Sequence, residues 1–255
     1  MTDWFDTHIH LLAPEWQQSP PALHSEAQSA GIVGMLMPGV RVDDWTALLT
    51  LAQQRPNTYF APGLHPAYAE QWNDDAADQL RTLTRQPQVI AIGEIGLDGI
   101  SGPPLEEQET VFRAQLAIAL DAGLPVLLHC RKATGRMVAI LEELRVGQRI
   151  GGIWHGFSGS VQIAQTLVDL GFKIGVGPVL LRESARKLPE AIRSIPDDAL
   201  VLETDAPDMT SHPRDLIAVG RKLAELKNWT LDKTAALTSA NARHLLHIDQ
   251  QDETA

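Results

Sequence analysis

The sequence contains one cysteine, Cys130, among its 255 residues. A single thiol excludes a disulfide framework and a cysteine-rich zinc module. Scarce cysteine is also typical of proteins from reducing compartments. We therefore expect a cytoplasmic protein with no structural disulfide.

Basic residues are also scarce. Lysine and arginine number 21 against 32 acidic residues, so the formal net charge is −11. Affinity for duplex nucleic acid comes mainly from phosphate neutralisation, so a broad electropositive groove is not expected. A small site in which bound metal ions supply the positive charge stays compatible with this composition.

Long apolar runs and the common nucleotide-binding motifs are absent too. No stretch of 18 uncharged apolar residues occurs, and the first six residues have no signal-peptide character, so we expect neither a membrane span nor a signal peptide. The chain has no G-x-G-x-x-G and no P-loop motif. A nucleophile elbow at residues 156–160 is incomplete because Ser160 stands where its last glycine belongs.

What the chain does contain is a regular alternation of short apolar runs and longer periodic segments. The short runs are apolar throughout, as strands buried on both faces are. Strands are predicted at residues 4–7, 32–37, 59–64, 89–93, 126–128, 150–154, 172–176 and 200–204. Helices are predicted from Asp43 and Asp44 to about Gln54, and at 105–122, 134–145, 160–170, 183–195, 213–226 and 231–246.

This alternation predicts an α/β fold, a single-domain (β/α)₈ TIM barrel over residues 1–248. A doubly wound open sheet is the alternative, because strand counts from one sequence are uncertain. The last residues, 249–255, are polar and acidic, and we expect them to form a frayed tail.

Five histidines stand at or just after the carboxyl end of a predicted strand, where barrel active sites form: His8, His10, His65, His129 and His155. Residues two apart on a strand point to the same side, so both members of the His8/His10 pair can grip one metal ion. Taken one at a time, His129 and His155 could equally be core histidines bonded to backbone.

Two carboxylates share this placement. Glu94 follows an apolar strand and needs a partner or a metal ion, although a turn position is the alternative. Asp205 follows another strand, and its alternative role is an N-cap before Pro207. Four histidines and two carboxylates together indicate a two-metal site. Imidazoles favour zinc, iron or nickel, whereas carboxylates favour magnesium or manganese, so the metal stays open.

Several motifs occur in an order that resembles the TatD family of metal-dependent deoxyribonucleases. The residues that carry this resemblance are 5–10 (FDTHIH), 63–66 (GLHP), 93–98 (GEIGLD), 155–159 (HGFSG) and 203–207 (ETDAP), with His129, Arg131 and the helical set Gln108, Phe112 and Gln115. The resemblance implies a barrel of the amidohydrolase type that hydrolyses phosphodiester bonds with two divalent metal ions, Mg²⁺ or Mn²⁺ in function and Zn²⁺ as a further candidate.

The resemblance also implies residue roles. His8 and His10 would bind one metal, Glu94 would bridge both, and His129 and His155 would hold the second. Asp205 would bind metal and accept the proton of the attacking water, so Asp205 and Glu94 are the catalytic candidates. The expected substrate contacts are His65 and Arg131.

Two departures from the family pattern fall where substrate would lie. The loop after Pro207 is short, with Arg214 as its first base, and residues 99–102 replace an aromatic that often follows Asp98. Substrate class is therefore less fixed than metal binding. We expect a nucleic-acid substrate, single-stranded or bound by its end, with no membrane and no obligatory protein partner. The alternatives are the same barrel acting on another ester or amide, such as an aminoacyl-tRNA ester, or a non-catalytic metal-binding barrel.

Other residues are given supporting roles. Glu203 shares a strand face with Asp205 and is expected to support the ligands rather than to bind metal. Asp98 is expected to be a turn or cap residue, Cys130 a buried structural thiol, and Ser158 and Ser160 helix caps.

Overall fold

The computed structural model describes residues 3–248, so the predicted tail, 249–255, lies outside the described residues. Helices alternate with eight parallel strands across this range. The strands are β1 (Trp4–Asp6), β2 (Ile32–Pro38), β3 (Thr58–Ala61), β4 (Ile92–Asp98), β5 (Val126–Arg131), β6 (Gly152–Trp154), β7 (Phe172–Val176) and β8 (Leu200–Leu202).

The strands close into a barrel. Strands β1 to β3 pair in chain order, and so do β4 to β8. Parallel bridges join the two runs at both edges, between Phe60 and Val89 and between Ile9 and Ala206. Neighbours in strict sequence order with a closed edge define a (β/α)₈ barrel. The predicted barrel is confirmed, and the open-sheet alternative is wrong.

Strand β4 is the clearest error of the sequence prediction. The predicted strand, 89–93, ends where the observed strand, Ile92–Asp98, has barely begun. Two glycines made residues 93–96 look like a turn. Instead they allow close pairing with β5, because a Cβ on Gly96 would lie 1.9 Å from the carbonyl oxygen of His129. Glu94 therefore lies inside the strand and not after it.

Helices surround the barrel. They are α1 (Pro20–Ser29), α2 (Trp45–Gln54), α3 (Asp74–Leu83), α4 (Leu105–Ala122), α5 (Thr134–Glu143), α6 (Val146–Arg149), α7 (Val161–Asp169), α8 (Leu188–Ser194), α9 (Leu216–Lys227) and α10 (Leu231–Leu245). Within residues 3–248, none of them combines the length and the apolar character that crossing a bilayer demands.

The helix prediction missed α1 and α3 and placed some ends wrongly. Regular helix in the predicted 183–195 segment is confined to Leu188–Ser194, and residues Pro213–Asp215 form a 3₁₀ turn before α9. Asp44 precedes α2 without a side-chain capping bond. The Ser160 cap is confirmed, since its side chain accepts a hydrogen bond from the Ile163 amide.

The barrel interior differs between its two ends. Apolar side chains fill one end, and Ala242 of α10 and Leu246, the residue after α10, pack onto them. Six strands contribute to this cluster: Phe5, Leu36, Ala61, Leu127, Ile153 and Val201. The opposite end, where the strands terminate, holds buried polar side chains instead. Active sites of TIM barrels lie at that carboxyl end.

Candidate metal centre

His8 and His10 follow β1 and turn their rings into the barrel mouth. Their Nε2 atoms lie 3.1 Å apart. From β8, Asp205 Oδ1 lies 3.2 Å from His10 Nε2 and 3.6 Å from His8 Nε2. These three residues, His8, His10 and Asp205, are called the β1–β8 half of the cluster.

His129 and His155 approach from the other side of the mouth. His129 Nδ1 and His155 Nε2 lie 2.6 Å and 2.7 Å from Glu94 Oε1. These two histidines are called the β5–β6 half. Glu94 Oε2 points the other way and lies 3.5 Å from His8 Nε2. Glu94 thus presents one oxygen to each half.

The donor atoms suit divalent cations. Each of three sets brings its nitrogen and oxygen atoms within 4.8 Å of one another: His8/His10/Glu94, Glu94/His129/His155 and His8/His155/Asp205. Atoms that share a cation at about 2.0–2.2 Å must themselves lie roughly 3 Å apart, as these do. Imidazole nitrogens and carboxylate oxygens are common ligands of such ions. The residues present therefore fit a metal-binding role.

Burial and charge set the protonation of the cluster. Burial, and then the neighbouring His155, lowers the pKa of His8 to about 4. Burial opposes the charged form of Glu94, but the surrounding histidines outweigh it and hold the pKa of that carboxyl well below its usual range. Burial also acts to lower the pKa of His155, yet Glu94 raises it to about 10. Glu94 and His155 thus favour each other's charged form.

Asp6 ties β1 to β8 beneath the β1–β8 half. Its Oδ1 accepts hydrogen bonds from the backbone amides of His8 and Thr204, and its Oδ2 accepts one from Thr204 Oγ1 at 2.6 Å. Burial raises the pKa of Asp6 to about 7 although these hydrogen bonds favour the charged form. The backbone that carries His8 and Asp205 is thus fixed by one buried carboxyl group.

Glu203 lies beneath the β5–β6 half. Its Oε1 accepts a hydrogen bond from the Gly156 amide at 2.6 Å and lies 3.8 Å from His155 Nδ1. Gly175 leaves the space for it, since a Cβ there would lie 2.3 Å from Glu203 Oε2. Burial raises the pKa of Glu203 to about 7. Glu203 therefore lies behind the His155 ring without a hydrogen bond to it and stands outside the three donor sets.

Asp98 is more than the turn residue that the sequence indicated. It does accept hydrogen bonds from the amides of Ile100 and Ser101, as a turn residue would. Its Oδ2 also lies 3.1 Å from His129 Nε2, on the far side of the ring from Glu94. Because β4 runs to Asp98, residues 94, 96 and 98 share one strand face. This alternation would have placed Asp98 beside Glu94, but the predicted strand ended at residue 93 and so did not include it.

Two glutamines of α4 hold the strand ends by reciprocal backbone hydrogen bonds. The Gln115 side chain accepts from the Leu64 amide at 2.7 Å and donates to the Leu64 carbonyl at 3.1 Å. Gln108 forms the same pair of bonds with Asp98. Residues seven apart lie on one helix face, so the sequence indicates that Gln108 and Gln115 point the same way. It does not indicate which backbone groups they bind.

The two expected substrate contacts, His65 and Arg131, lie at different depths in the barrel mouth. His65 belongs to the cluster, with its Nε2 3.9 Å from Glu94 Oε1. The Arg131 side chain is 54% exposed and stands at the rim, with Nη1 3.7 Å from Asp98 Oδ2. Cys130 is half-buried beside it and faces a cavity at the rim, so the expectation of a buried thiol is only partly met.

The alternative role of Asp205 as a cap finds no support in its contacts. Its backbone adopts a left-handed conformation with φ 50°, and its carboxylate contacts the two β1 histidines. The Met209 amide donates to the Asp205 backbone carbonyl and not to the side chain. The Asp205 carboxylate is therefore available as a metal ligand of the cluster.

A parallel barrel with histidines and carboxylates gathered at its mouth defines a hydrolase of the metal-dependent class. The chain belongs to the family of TatD related DNases, whose sequence model matches residues 5–247. This confirms the resemblance inferred from the motifs.

Curated relatives cover nearly the whole chain. The 3'-5' ssDNA/RNA exonuclease TatD of Klebsiella pneumoniae is 34% identical over 96% of this chain and 98% of its own. The uncharacterized metal-dependent hydrolase YabD of Bacillus subtilis is 31% identical over 96% of this chain and 99% of its own. The crystal structure of YjjV, a TatD homologue from Escherichia coli, superposes with a TM-score of 0.89 at 33% identity, covering 95% of this chain and 97% of that one.

Proposed function

We propose that this hydrolase is a two-metal nuclease that removes nucleotides from an end of single-stranded DNA or RNA. The observation that carries the proposal is the position of Glu94, whose two oxygens face two separate groups of donors. A carboxylate in that position could be shared by two ions, an arrangement that would suit an in-line displacement at phosphorus. Relatives named 3'-5' ssDNA/RNA exonuclease support this substrate class and indicate a 3′ starting end.

The ligand assignment follows the two halves. His8, His10 and Asp205 would hold one divalent ion with Glu94, and His129 and His155 would hold the other with Glu94. Asp205 also groups with His155 across the two halves. When bound, the ions polarise a phosphoryl oxygen and lower the pKa of a water. The mixed nitrogen and oxygen donors are compatible with Mg²⁺, Mn²⁺ or Zn²⁺.

Asp205 is the residue placed to accept the proton of the attacking water. Its side chain is 14% exposed, so it is the most open carboxylate of the cluster. Burial acts to raise the pKa of Asp205, but the hydrogen bond with His10 and the nearby histidines hold that pKa below its usual range. The water oxygen bonds to phosphorus, the ester P–O bond breaks, and the departing oxygen takes up a proton from solvent, to which Asp205 returns the proton that it accepted. His65 lies within the cluster, where it can contact the phosphate, and Arg131 can reach the phosphate from the rim.

Charge favours attack from an end. The chain carries a net charge of −11, which does not support a long grip on a nucleic-acid backbone. Single-stranded ends expose bases and bring few phosphates at a time. A compact mouth with metal ions as its main positive charge suits that substrate.

A substrate panel tests the proposal. The protein is stripped with a chelator, verified by elemental analysis, and assayed after addition of Mg²⁺, Mn²⁺ or Zn²⁺. The substrates are linear and circular single-stranded DNA, single-stranded RNA, duplex DNA and an aminoacyl-tRNA ester. We expect metal-dependent cleavage of the linear single strands and little of the circle. Cleavage that survives complete stripping, or that is confined to the ester, would contradict the proposal.

A further inference from the structure

Two cavities flank the metal centre on opposite sides of the barrel mouth. One, of about 450 Å³, lies over the ends of β1, β2 and β3 and reaches His10. The other, of about 410 Å³, lies over the ends of β4, β5 and β6 and reaches Gly156 beside His155. They are called the β1–β3 cavity and the β4–β6 cavity. Each is large enough for a nucleotide-sized group.

The two cavities carry opposite charge. The β4–β6 cavity is lined by two exposed cations, Arg131 and Lys132, and by no carboxylate. The β1–β3 cavity is lined by one guanidinium, Arg41, and by three exposed carboxylates: Glu15, Asp44 and Asp208. A strand that passes through both cavities would meet attraction on one side of the centre and repulsion on the other.

Given the proposed nuclease activity, we infer that the β1–β3 cavity takes the terminal nucleoside and the β4–β6 cavity takes the continuing strand. A strand brings one phosphate for each nucleotide. A terminal nucleoside brings no phosphate beyond the scissile one, which lies at the metal centre. The carboxylates of the β1–β3 cavity therefore tolerate an end and repel a strand that continues, so that unfavourable contacts supply the specificity.

The walls of each cavity match these occupants. In the β1–β3 cavity, the Arg41 guanidinium lies 4.6 Å from the centre of the Tyr68 ring and donates a hydrogen bond to its hydroxyl. Planar guanidinium and aromatic groups of this kind stack on bases without reading their sequence. In the β4–β6 cavity, the side chain of Ile100 is among the few large apolar ones left exposed within residues 3–248, and it stands beside Arg131 and Lys132.

A terminal phosphate tests this assignment. Two single-stranded oligonucleotides of the same sequence are compared. At the end from which the wild-type protein degrades them, one carries a hydroxyl group and the other a phosphate. We expect the hydroxyl end to be preferred about five- to tenfold, because the added charge meets Glu15 and Asp44. The preference is measured as a ratio of kcat/KM and, on metal-stripped protein, as a ratio of affinities by fluorescence anisotropy.

Two double variants separate the cavities. Glu15→Gln/Asp44→Asn should reduce the preference to about twofold or less. The matched control Glu142→Gln/Glu225→Gln removes the same net charge from the outer helices α5 and α9 and should keep the wild-type preference. Arg131→Ala/Lys132→Ala should keep the preference but lower the salt dependence of oligonucleotide binding by about one unit of the log–log slope.

The possible results distinguish a failure of the cavity assignment from a failure of the nuclease function. A wild type that accepts both ends equally, or a Glu15→Gln/Asp44→Asn variant with an unchanged preference, overturns the assignment while the nuclease function stands. An unchanged salt slope in Arg131→Ala/Lys132→Ala also overturns it. If the wild type neither binds nor cleaves any single strand, the nuclease function itself has failed, and the assignment fails with it.

Discussion

The two halves of the metal centre are held in different ways. In the β1–β8 half, the backbone is fixed by Asp6, and the half contains a carboxylate of its own, Asp205, whose side chain is 14% exposed. In the β5–β6 half, each imidazole has a carboxylate behind it, Asp98 for His129 and Glu203 for His155. We call the first half open because its own carboxylate reaches the mouth, and the second half braced because its carboxylates lie behind the rings.

This difference predicts that the two halves have different roles in the reaction. Carboxylates behind ligating histidines fix ring orientation and raise basicity, which strengthens metal binding. An open carboxylate beside the mouth can meet water and substrate. We therefore expect changes in the β1–β8 half to affect the chemical step and changes behind the β5–β6 half to affect metal occupancy.

Removal of the shared residue should have the largest effect. Glu94→Gln keeps the shape but loses the charge that faces both halves, so we expect metal content to fall at both positions and kcat to fall by about 10³-fold or more. Elemental analysis and saturating-substrate kinetics measure this, with Glu107→Gln on the exposed face of α4 as control. Full metal content in a folded Glu94→Gln protein would show that Glu94 bridges nothing.

The next effect belongs to the open half. Asp205→Asn should lower kcat by at least about 10²-fold, because asparagine cannot accept the proton of the water. Melting of the metal-free protein should stay near that of the wild type, since no helix cap is lost. Asp121→Asn, an exposed change on α4, is the matched control. A kcat within a few-fold of wild type would place the base elsewhere.

A smaller and more selective effect is expected behind the braced half. Asp98→Asn can keep the turn hydrogen bonds but loses the charge beside His129 Nε2, so metal affinity should fall by about 10–100-fold at one of two positions. Competition titration with a chelating dye resolves the two affinities, and the exposed Asp198→Asn variant serves as control. Equal weakening of both affinities would argue against separate halves.

The smallest effect concerns the support by α4. Gln115→Leu leaves the buried amide and carbonyl of Leu64 unpaired, so the free energy of unfolding should fall by about 1–3 kcal/mol. Urea unfolding measures the loss, and Gln148→Leu, an exposed glutamine on α6, is the control. No difference between the two variants would mean that water replaces the lost hydrogen bonds at Leu64.

The barrel and the clustering of the histidines at its mouth could both be predicted from the sequence, and for the same reason. Parallel strands all end at one mouth, so residues at strand ends meet there whatever the exact strand lengths. An error at β4 therefore did not separate Glu94 from His129. The same error did hide Asp98, because its place on the strand face depends on where β4 ends.

Other features depend on distances that no local pattern contains. The bond between Asp6 and Thr204 spans 198 positions in sequence. The partners of Gln115 lie 51 positions away. The opposite charge of the two cavities likewise appears only when β2, β3 and β5 are placed around one mouth. The omission of α1 and α3 is different, because two prolines or two aspartates in a first turn are helix-start signals that the prediction did not use.

The closing bridge between Ile9 and Ala206 also joins the first and last strands of the chain at the site. Glu94 and His129 are only 35 positions apart in sequence. His8 and His10, in contrast, meet Asp205 only because the last strand lies beside the first. A chain released early, or cut before β8, holds its β1 histidines without their carboxylate. Closure of the barrel and completion of the ligand cluster thus depend on the same pair of strands, so a truncation before β8 removes both.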